Sequence, residues 1–214
     1  SGRGIESIYK SPAMIVKVCG MRDAENILQL EAPGANLLGF IFYPKSPRFV
    51  VEPNDAILNC SLKKVGVFVN ASLKEILSAV EKYRLDHIQL HGDESPMCCT
   101  NLKNLGLQVF KAFPIESEAD LAKTEAYEGV VDYFLFDTKT AEYGGSGKRF
   151  DWSVLNKYTG ETPFLLSGGI KPESLDDLIA FNHPKFVGID LNSGFERAPA
   201  LKDADKLKDF ITKF

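Results

Sequence analysis

Phe164-Leu165-Leu166-Ser167-Gly168-Gly169 and, one segment later, Phe186-Val187-Gly188-Ile189-Asp190-Leu191-Asn192-Ser193-Gly194 set the pattern for the whole chain. Each begins as a short, nearly unbroken apolar run and ends in a small, polar, glycine-containing turn. Apolar runs without polar alternation suit strands covered on both faces, as in a parallel sheet. Between them, Pro172–Phe181 opens with proline in its first turn and carries Leu175, Leu178 and Ile179 on one face, the spacing of an amphipathic helix. Strand, helix, strand of this kind is a βαβ unit.

Worked outward, the unit recurs along the chain. Strands are expected at Ile15–Cys19, Leu37–Phe42, Lys64–Val69, His87–Leu90, Gln108–Ala112, Tyr133–Asp137, Phe164–Leu166 and Phe186–Asp190. Helical spacing is clearest in Ala71–Tyr83, where Leu73, Ile76, Leu77 and Val80 share a face. Ser72 and Glu75 form a capping-box pattern at its start. Asp203–Phe214 repeats the spacing with Leu207, Phe210 and Ile211. Strand alternates with helix eight times, at intervals of about 21 to 31 residues. Eight units, with no dinucleotide-type GxGxxG after the first strand, favour a closed α/β architecture, the TIM (β/α)₈ barrel with eight parallel strands and outer helices, over an open doubly wound sheet. The interval after Tyr133–Asp137 is the longest, and its excess lies in Thr138–Arg149 with Gly144, Gly145 and Gly147; long glycine-containing loops in a compact domain are usually functional. Residues 1–13 are polar and irregular and read as an expression remnant or disordered extension, leaving residues 14–214 as one barrel domain.

Composition narrows the function. The chain has 214 residues, 44% hydrophobic and 25% charged, with a net charge of −4. That suits one domain with a sizeable core and argues against a general nucleic-acid binder. No apolar run approaches the roughly 20 residues of a membrane span, and no signal peptide is evident. The cysteines at 19, 60, 98 and 99 lack zinc-ligand spacing, which favours a reduced, cytoplasmic setting. His, Cys, Asp and Glu form no metal-spaced cluster, so no metal is expected.

In a barrel, chemistry sits where strands end. Those ends carry Cys19, Pro44–Arg48, Asn70, His91 with Asp93, Phe113, Asp137, Ser167–Gly169 and Asp190–Gly194. Gly168 and Gly169 after strand seven, with Ser193 and Gly194 after strand eight, form paired glycine loops whose N–H groups suit a phosphate. Cys19 reads either as a small core residue or as a base whose thiol the site activates. Asp137 closes an apolar strand and is either a loop cap or an acid. Arg48, in a loop stiffened by two prolines, is either solvated or a partner for a carboxylate. Lys17 lies inside strand one and can point inward. His91 is a polar wall residue or a structural histidine.

Taken together, Lys17-Val18-Cys19-Gly20, Gly39-Phe40-Ile41-Phe42, Ser46-Pro47-Arg48, Gln89-Leu90-His91-Gly92, Phe136-Asp137-Thr138, Gly144-Gly145-Ser146-Gly147, Leu166-Ser167-Gly168-Gly169 and Asp190-Leu191-Asn192-Ser193-Gly194-Phe195-Glu196 resemble the phosphoribosylanthranilate isomerase family of tryptophan biosynthesis. The resemblance runs from Ile15 to the C-terminus. It implies an Amadori rearrangement by general acid–base catalysis, with Cys19 as base and Asp137 as acid. It implies that Arg48 faces the anthranilate carboxylate and that the Gly168–Gly169 and Ser193–Gly194 backbones hold the phosphate. His91 and Asp190 join these as expected substrate-binding residues. The mechanism calls for an Asp137 pKa raised by desolvation and a Cys19 pKa lowered by nearby positive charge. No cofactor is expected, because the substrate nitrogen supplies the electron sink. The partner is a phosphorylated small molecule, and the assembly a monomer or homodimer. Asn192 departs from the serine usual in the family, which leaves the side-chain contact there open.

Three other readings rank lower. A histidine-pathway or dual-substrate sugar-phosphate isomerase would place an aspartate at position 19 and show half-barrel repetition. An epimerase or aldolase would require metal ligands or a Schiff-base lysine, for which Lys111 is the candidate. A non-catalytic phosphate-binding barrel would lack Cys19 or Asp137.

Overall fold

The computed structural model describes residues 13–31, 34–138 and 152–214. Eight parallel strands close into a barrel in chain order, with β1 (Ile15–Val18) pairing both β2 (Leu37–Ile41) and β8 (Phe186–Leu191). Between them run β3 (Lys63–Phe68), β4 (His87–Leu90), β5 (Gln108–Pro114), β6 (Tyr133–Asp137) and β7 (Phe164–Ser167). The expected strands are all present, shifted at their ends by a residue or two. Cys19 lies just past β1, yet its N–H still donates to Leu191 O at 2.9 Å, so the ladder carries it to the rim.

The alternation of eight helices is thinner than expected. The α-helices are α1 (Ala24–Leu30), α2 (Asp55–Leu58), α3 (Leu73–Tyr83), α4 (Pro96–Asn104), α5 (Glu118–Ala122), α6 (Leu175–Ala180) and α7 (Ala204–Lys213). Among the described residues, the link from β6 to β7 holds a 3₁₀ segment, Trp152–Lys157, in place of an α-helix. The expected helix Pro172–Phe181 is a 3₁₀ turn, Pro172–Ser174, followed by α6. The loop reading of Thr138–Arg149, including Gly144, Gly145 and Gly147, lies outside the described residues after Thr138, as do residues 1–12 of the expected extension. No described helix is long and apolar enough to cross a membrane.

Side chains on a strand alternate between faces, so each strand's inward series can be followed up the barrel. Ile15, Leu37, Val65, Phe110, Tyr133, Leu165 and Val187 fill its lower interior in one apolar cluster. Further along the same series come Lys17 and Cys19 on β1, Gln89 and His91 on β4, and Asp137 on β6. Apolar bulk thus supports the barrel from below, and the polar residues gather at the end where the strands finish. The opposite strand faces pack under the helices in a separate, larger core.

After β8 the chain makes a 3₁₀ turn (Ser193–Phe195) and an antiparallel hairpin, β9 (Glu196–Ala198) and β10 (Leu201–Lys202). Asn26 of α1 ties β10 down: its amide donates to Lys202 O at 2.9 Å, and Lys202 N–H donates back to Asn26 Oδ1 at 2.8 Å. This brings Lys202 beneath Gly20 and Cys19.

Candidate active site

One pocket at the C-terminal ends of the strands is lined by Cys19, Ile41, Arg48, Val67, Gln89, His91, Asp137, Ser167–Ile170, Asp190 and Asn192–Gly194. All nine expected site residues are in it. They come from β1, β2, β4, β6, β7 and β8, and only barrel closure makes them neighbours.

The two glycine loops meet directly. Gly168 and Gly169 hold φ of +90° and +67°, a conformation that favours glycine. Their N–H groups find no acceptor among the described residues. A Cβ on Gly194 would stand 2.2 Å from Ile170 O, so the β8 loop packs against the β7 loop without room for a side chain. The pair forms one concave backbone surface of the kind that binds phosphate in barrels.

Around Cys19 the structure gathers three cations and two carboxylates, of which Lys17, Lys202 and Asp190 are buried. Lys17 is fully buried and its Nζ lies 3.0 Å from Asp190 Oδ1, its ladder partner on β8. Asp190 also accepts a 3.4 Å bond from Ser167 Oγ. Its carboxylate is therefore already engaged, although it lines the pocket as expected. Lys202 Nζ lies 2.7 Å from Glu196 Oε2, and it donates to Asn192 Oδ1 at 3.0 Å. That contact answers the open question at Asn192, whose side chain serves Lys202.

Arg48 is also engaged. Its Nε lies 2.9 Å from Glu196 Oε2 and its Nη2 2.5 Å from Glu196 Oε1, a side-on paired contact. The loop carrying it is held by Arg22, which donates to Pro47 O and Phe49 O. Burial pushes the Glu196 carboxyl up, but hydrogen bonds from Arg48 and Lys202 outweigh it and the net direction is down. Arg48 thus stands in the pocket with a carboxylate of the protein already on one edge of its guanidinium.

The thiol departs from expectation. Burial drives the Cys19 pKa up, Lys17 and Lys202 draw it down, Asp190 adds to the rise, and the net direction is upward. Neighbouring charge is present as anticipated, but desolvation wins in the free protein. For Lys17 burial lowers the pKa, while Asp190 and Cys19 raise it and prevail, so the ammonium stays charged. His91 Nε2 lies 3.7 Å from Asp137 Oδ2, joining β4 to β6 across the pocket.

Several contributors had weak sequence signals. Glu196 falls within a quoted motif, but nothing marked it as the partner of Arg48. Lys202 gave no signal. Gly20 and Gly39 are spacers: a Cβ at Gly20 would stand 2.6 Å from Arg48 Cδ, and one at Gly39 2.7 Å from Cys19 Sγ. Lys111, the Schiff-base candidate, faces away from the barrel interior. Its Nζ donates to Gly92 O at 2.6 Å and pairs with Glu94 at 3.3 Å. Glu94 in turn accepts from the N–H groups of Asn70 and Gly92, clamping the loops beside His91.

Comparison with known proteins agrees with this fold. The family model for N-(5'-phosphoribosyl)anthranilate (PRA) isomerase matches residues 16–213. An N-(5'-phosphoribosyl)anthranilate isomerase from Parabacteroides distasonis is 56% identical over 203 residues, 92% of each chain. The crystal structure of phosphoribosyl anthranilate isomerase from Thermotoga maritima superposes with a TM-score of 0.80 at 34% identity, covering 94% of this chain and 98% of that one. A further isomerase structure, in complex with reduced 1-(o-carboxyphenylamino)-1-deoxyribulose 5-phosphate, gives a TM-score of 0.76 at 30% identity, covering 94% of this chain and 97% of that one. With a family match across the barrel and relatives this similar over nearly their full length, the chain belongs to the N-(5'-phosphoribosyl)anthranilate isomerase family.

Proposed function

We infer that this chain catalyses the family reaction in tryptophan biosynthesis, the Amadori rearrangement of N-(5'-phosphoribosyl)anthranilate to 1-(2-carboxyphenylamino)-1-deoxyribulose 5-phosphate. The observation that carries the reading is the single pocket in which a thiol, a carboxyl, an arginine and two docked glycine loops converge. Phosphate binds the N–H groups of Gly168 and Gly169 and the Ser193–Gly194 turn. This end of the pocket lies at β7 and β8, so the sugar reaches from there toward Cys19 and Asp137.

Asp137, protonated, gives its proton to the ring oxygen as the C1–O bond breaks. The nitrogen lone pair forms the C1=N bond, leaving an iminium and an open chain. The Cys19 thiolate removes the C2 proton; the C2–H electrons become the C1=C2 bond, and the C=N electrons return to nitrogen. The enolamine then tautomerises: C1 gains a proton and the C2 hydroxyl loses one, which restores both catalysts. In the free protein Cys19 is held as the thiol, because burial raises its pKa. The iminium adds a positive charge to those of Lys17 and Lys202, so the thiol gives its proton to solvent and the thiolate forms when the C2 proton is most acidic; the thiol is reprotonated from solvent at the end of the cycle. Arg48, held by Glu196, offers its remaining edge to the anthranilate carboxylate.

The test is steady-state kinetics on Cys19→Ser and Asp137→Asn. Loss of a general acid or base lowers kcat by about 10² to 10⁴. Both variants should fold and still bind a product analogue. Near wild-type turnover in either would remove that residue from the mechanism.

A further inference from the structure

Gln89 has no part in the steps above, yet it is buried at 1% exposure and lines the same pocket. It stands two residues before His91, so both side chains leave the β4 line on the inward face. Its Nε2 lies 3.0 Å from His91 Nδ1. The opposite ring nitrogen, His91 Nε2, lies 3.7 Å from Asp137 Oδ2. Three side chains thus run in file from the barrel interior to the carboxyl assigned as general acid. The buried Oε1 of Gln89 has no hydrogen-bond partner among the described residues. A half-satisfied buried amide is destabilising, and an apolar side chain of similar length would fill the space without that penalty. Stability therefore does not account for Gln89, whereas the orientation of His91 does.

An amide NH₂ only donates, so it meets Nδ1 when that nitrogen carries a lone pair. In a neutral imidazole the proton then sits on Nε2, the nitrogen that faces Asp137. We propose that Gln89 is a positioning residue for the isomerisation: it holds His91 in the Nε2–H tautomer, so that the imidazole presents a donor to Asp137 Oδ2 and the acidic proton stays on Oδ1. This rests on the assignment of Asp137 as the general acid. The ring contributes no proton of its own to the reaction; it fixes which oxygen of the acid carries the proton.

The experiment pairs Gln89→Met with Gln89→Glu. Methionine keeps the length and donates nothing. Glutamate keeps the shape, but once ionised it only accepts, which favours a proton on Nδ1. Nitrogen-15 NMR of imidazole-labelled protein reads the tautomer directly, and His87, His91 and His183 are the only three rings to separate. Wild-type His91 should be Nε2–H. It should become a mixture in Gln89→Met, and Nδ1–H or doubly protonated in Gln89→Glu. kcat should fall by roughly tenfold or more in both, as losses of outer-shell partners typically do, with affinity for a product analogue unchanged. The melting temperature of Gln89→Met should not drop. A wild-type His91 protonated on Nδ1, an undiminished kcat in both folded variants, or an equal loss of analogue affinity would each overturn the proposal. The tautomer is read without turnover, and Asp137→Asn is assayed separately, so failure here is distinct from failure of the acid assignment.

Discussion

Gly39→Ala tests the position of Cys19 more finely than removal of the thiol. Gly39 sits on β2 beside the end of β1, and an alanine Cβ there would lie 2.7 Å from Cys19 Sγ, 3.1 Å from its Cα and 3.2 Å from its Cβ. Rotating the thiol relieves only the first contact, so the Cys19 backbone must shift as well. To reach an ordinary contact of 3.4 Å, Sγ has to retreat by about 0.7 Å. A displacement near 1 Å between reacting groups costs on the order of 10² in rate. Gly39→Ala should therefore lose about 10- to 100-fold in kcat with little change in KM, since the glycine loops proposed to hold the phosphate, and Arg48, are untouched. Overpacking should also destabilise the fold by about 1–3 kcal/mol. Gly188→Ala is the control: its Cβ would meet Ile15 O at 2.4 Å at the far end of the barrel, so it should destabilise without lowering kcat of the folded protein. The assay is steady-state turnover beside denaturant unfolding of both variants. Full kcat in folded Gly39→Ala would refute the placement of Cys19 at the reacting carbon.

The remaining predictions concern the charges. Arg48→Ala should raise KM while changing kcat little, because its proposed target, the substrate carboxylate, is remote from the reacting carbons; Arg48→Lys should not restore KM, since an ammonium cannot make the side-on contact with Glu196 and serve a second carboxylate. A collapse of kcat at constant KM would assign Arg48 another role. The Cys19 thiol should titrate above the usual value of ~8.5 in the free enzyme, because burial disfavours the thiolate; the difference in thiolate absorbance between wild type and Cys19→Ser measures it, and a midpoint below that value contradicts the balance drawn here. Glu94→Ala leaves the Lys111 ammonium buried without its carboxylate, and it orphans the N–H groups of Asn70 and Gly92. Breaking a buried pair from one side costs about 3–5 kcal/mol, which a drop in melting temperature would register.

Much of this molecule can be read from one line of residues. Runs such as Tyr133–Asp137 and Phe164–Ser167 are apolar throughout because both faces of a barrel strand are covered, and that pattern is local. Position at a strand end then singles out Cys19, Arg48, His91, Asp137 and the glycines of the two loops after β7 and β8, since barrel closure sends all strand ends to one rim. Helices are less legible. α2 and α5 are too short for periodicity to declare, and the Trp152–Lys157 segment is 3₁₀.

Tertiary structure alone decided how the charges pair and which way the thiol titrates. Arg48 and Glu196 are 148 positions apart, and Lys202 reaches Gly20 and Cys19 only because a hairpin is tied to α1 through Asn26. No local pattern encodes such meetings. The pKa of Cys19 is the balance of burial against Lys17, Lys202 and Asp190, and each contribution depends on a distance set by the closed barrel. Sequence shows which groups are available at the rim. Their protonation and partners follow from desolvation and Coulomb interactions, which depend on separation in space and not on separation along the chain.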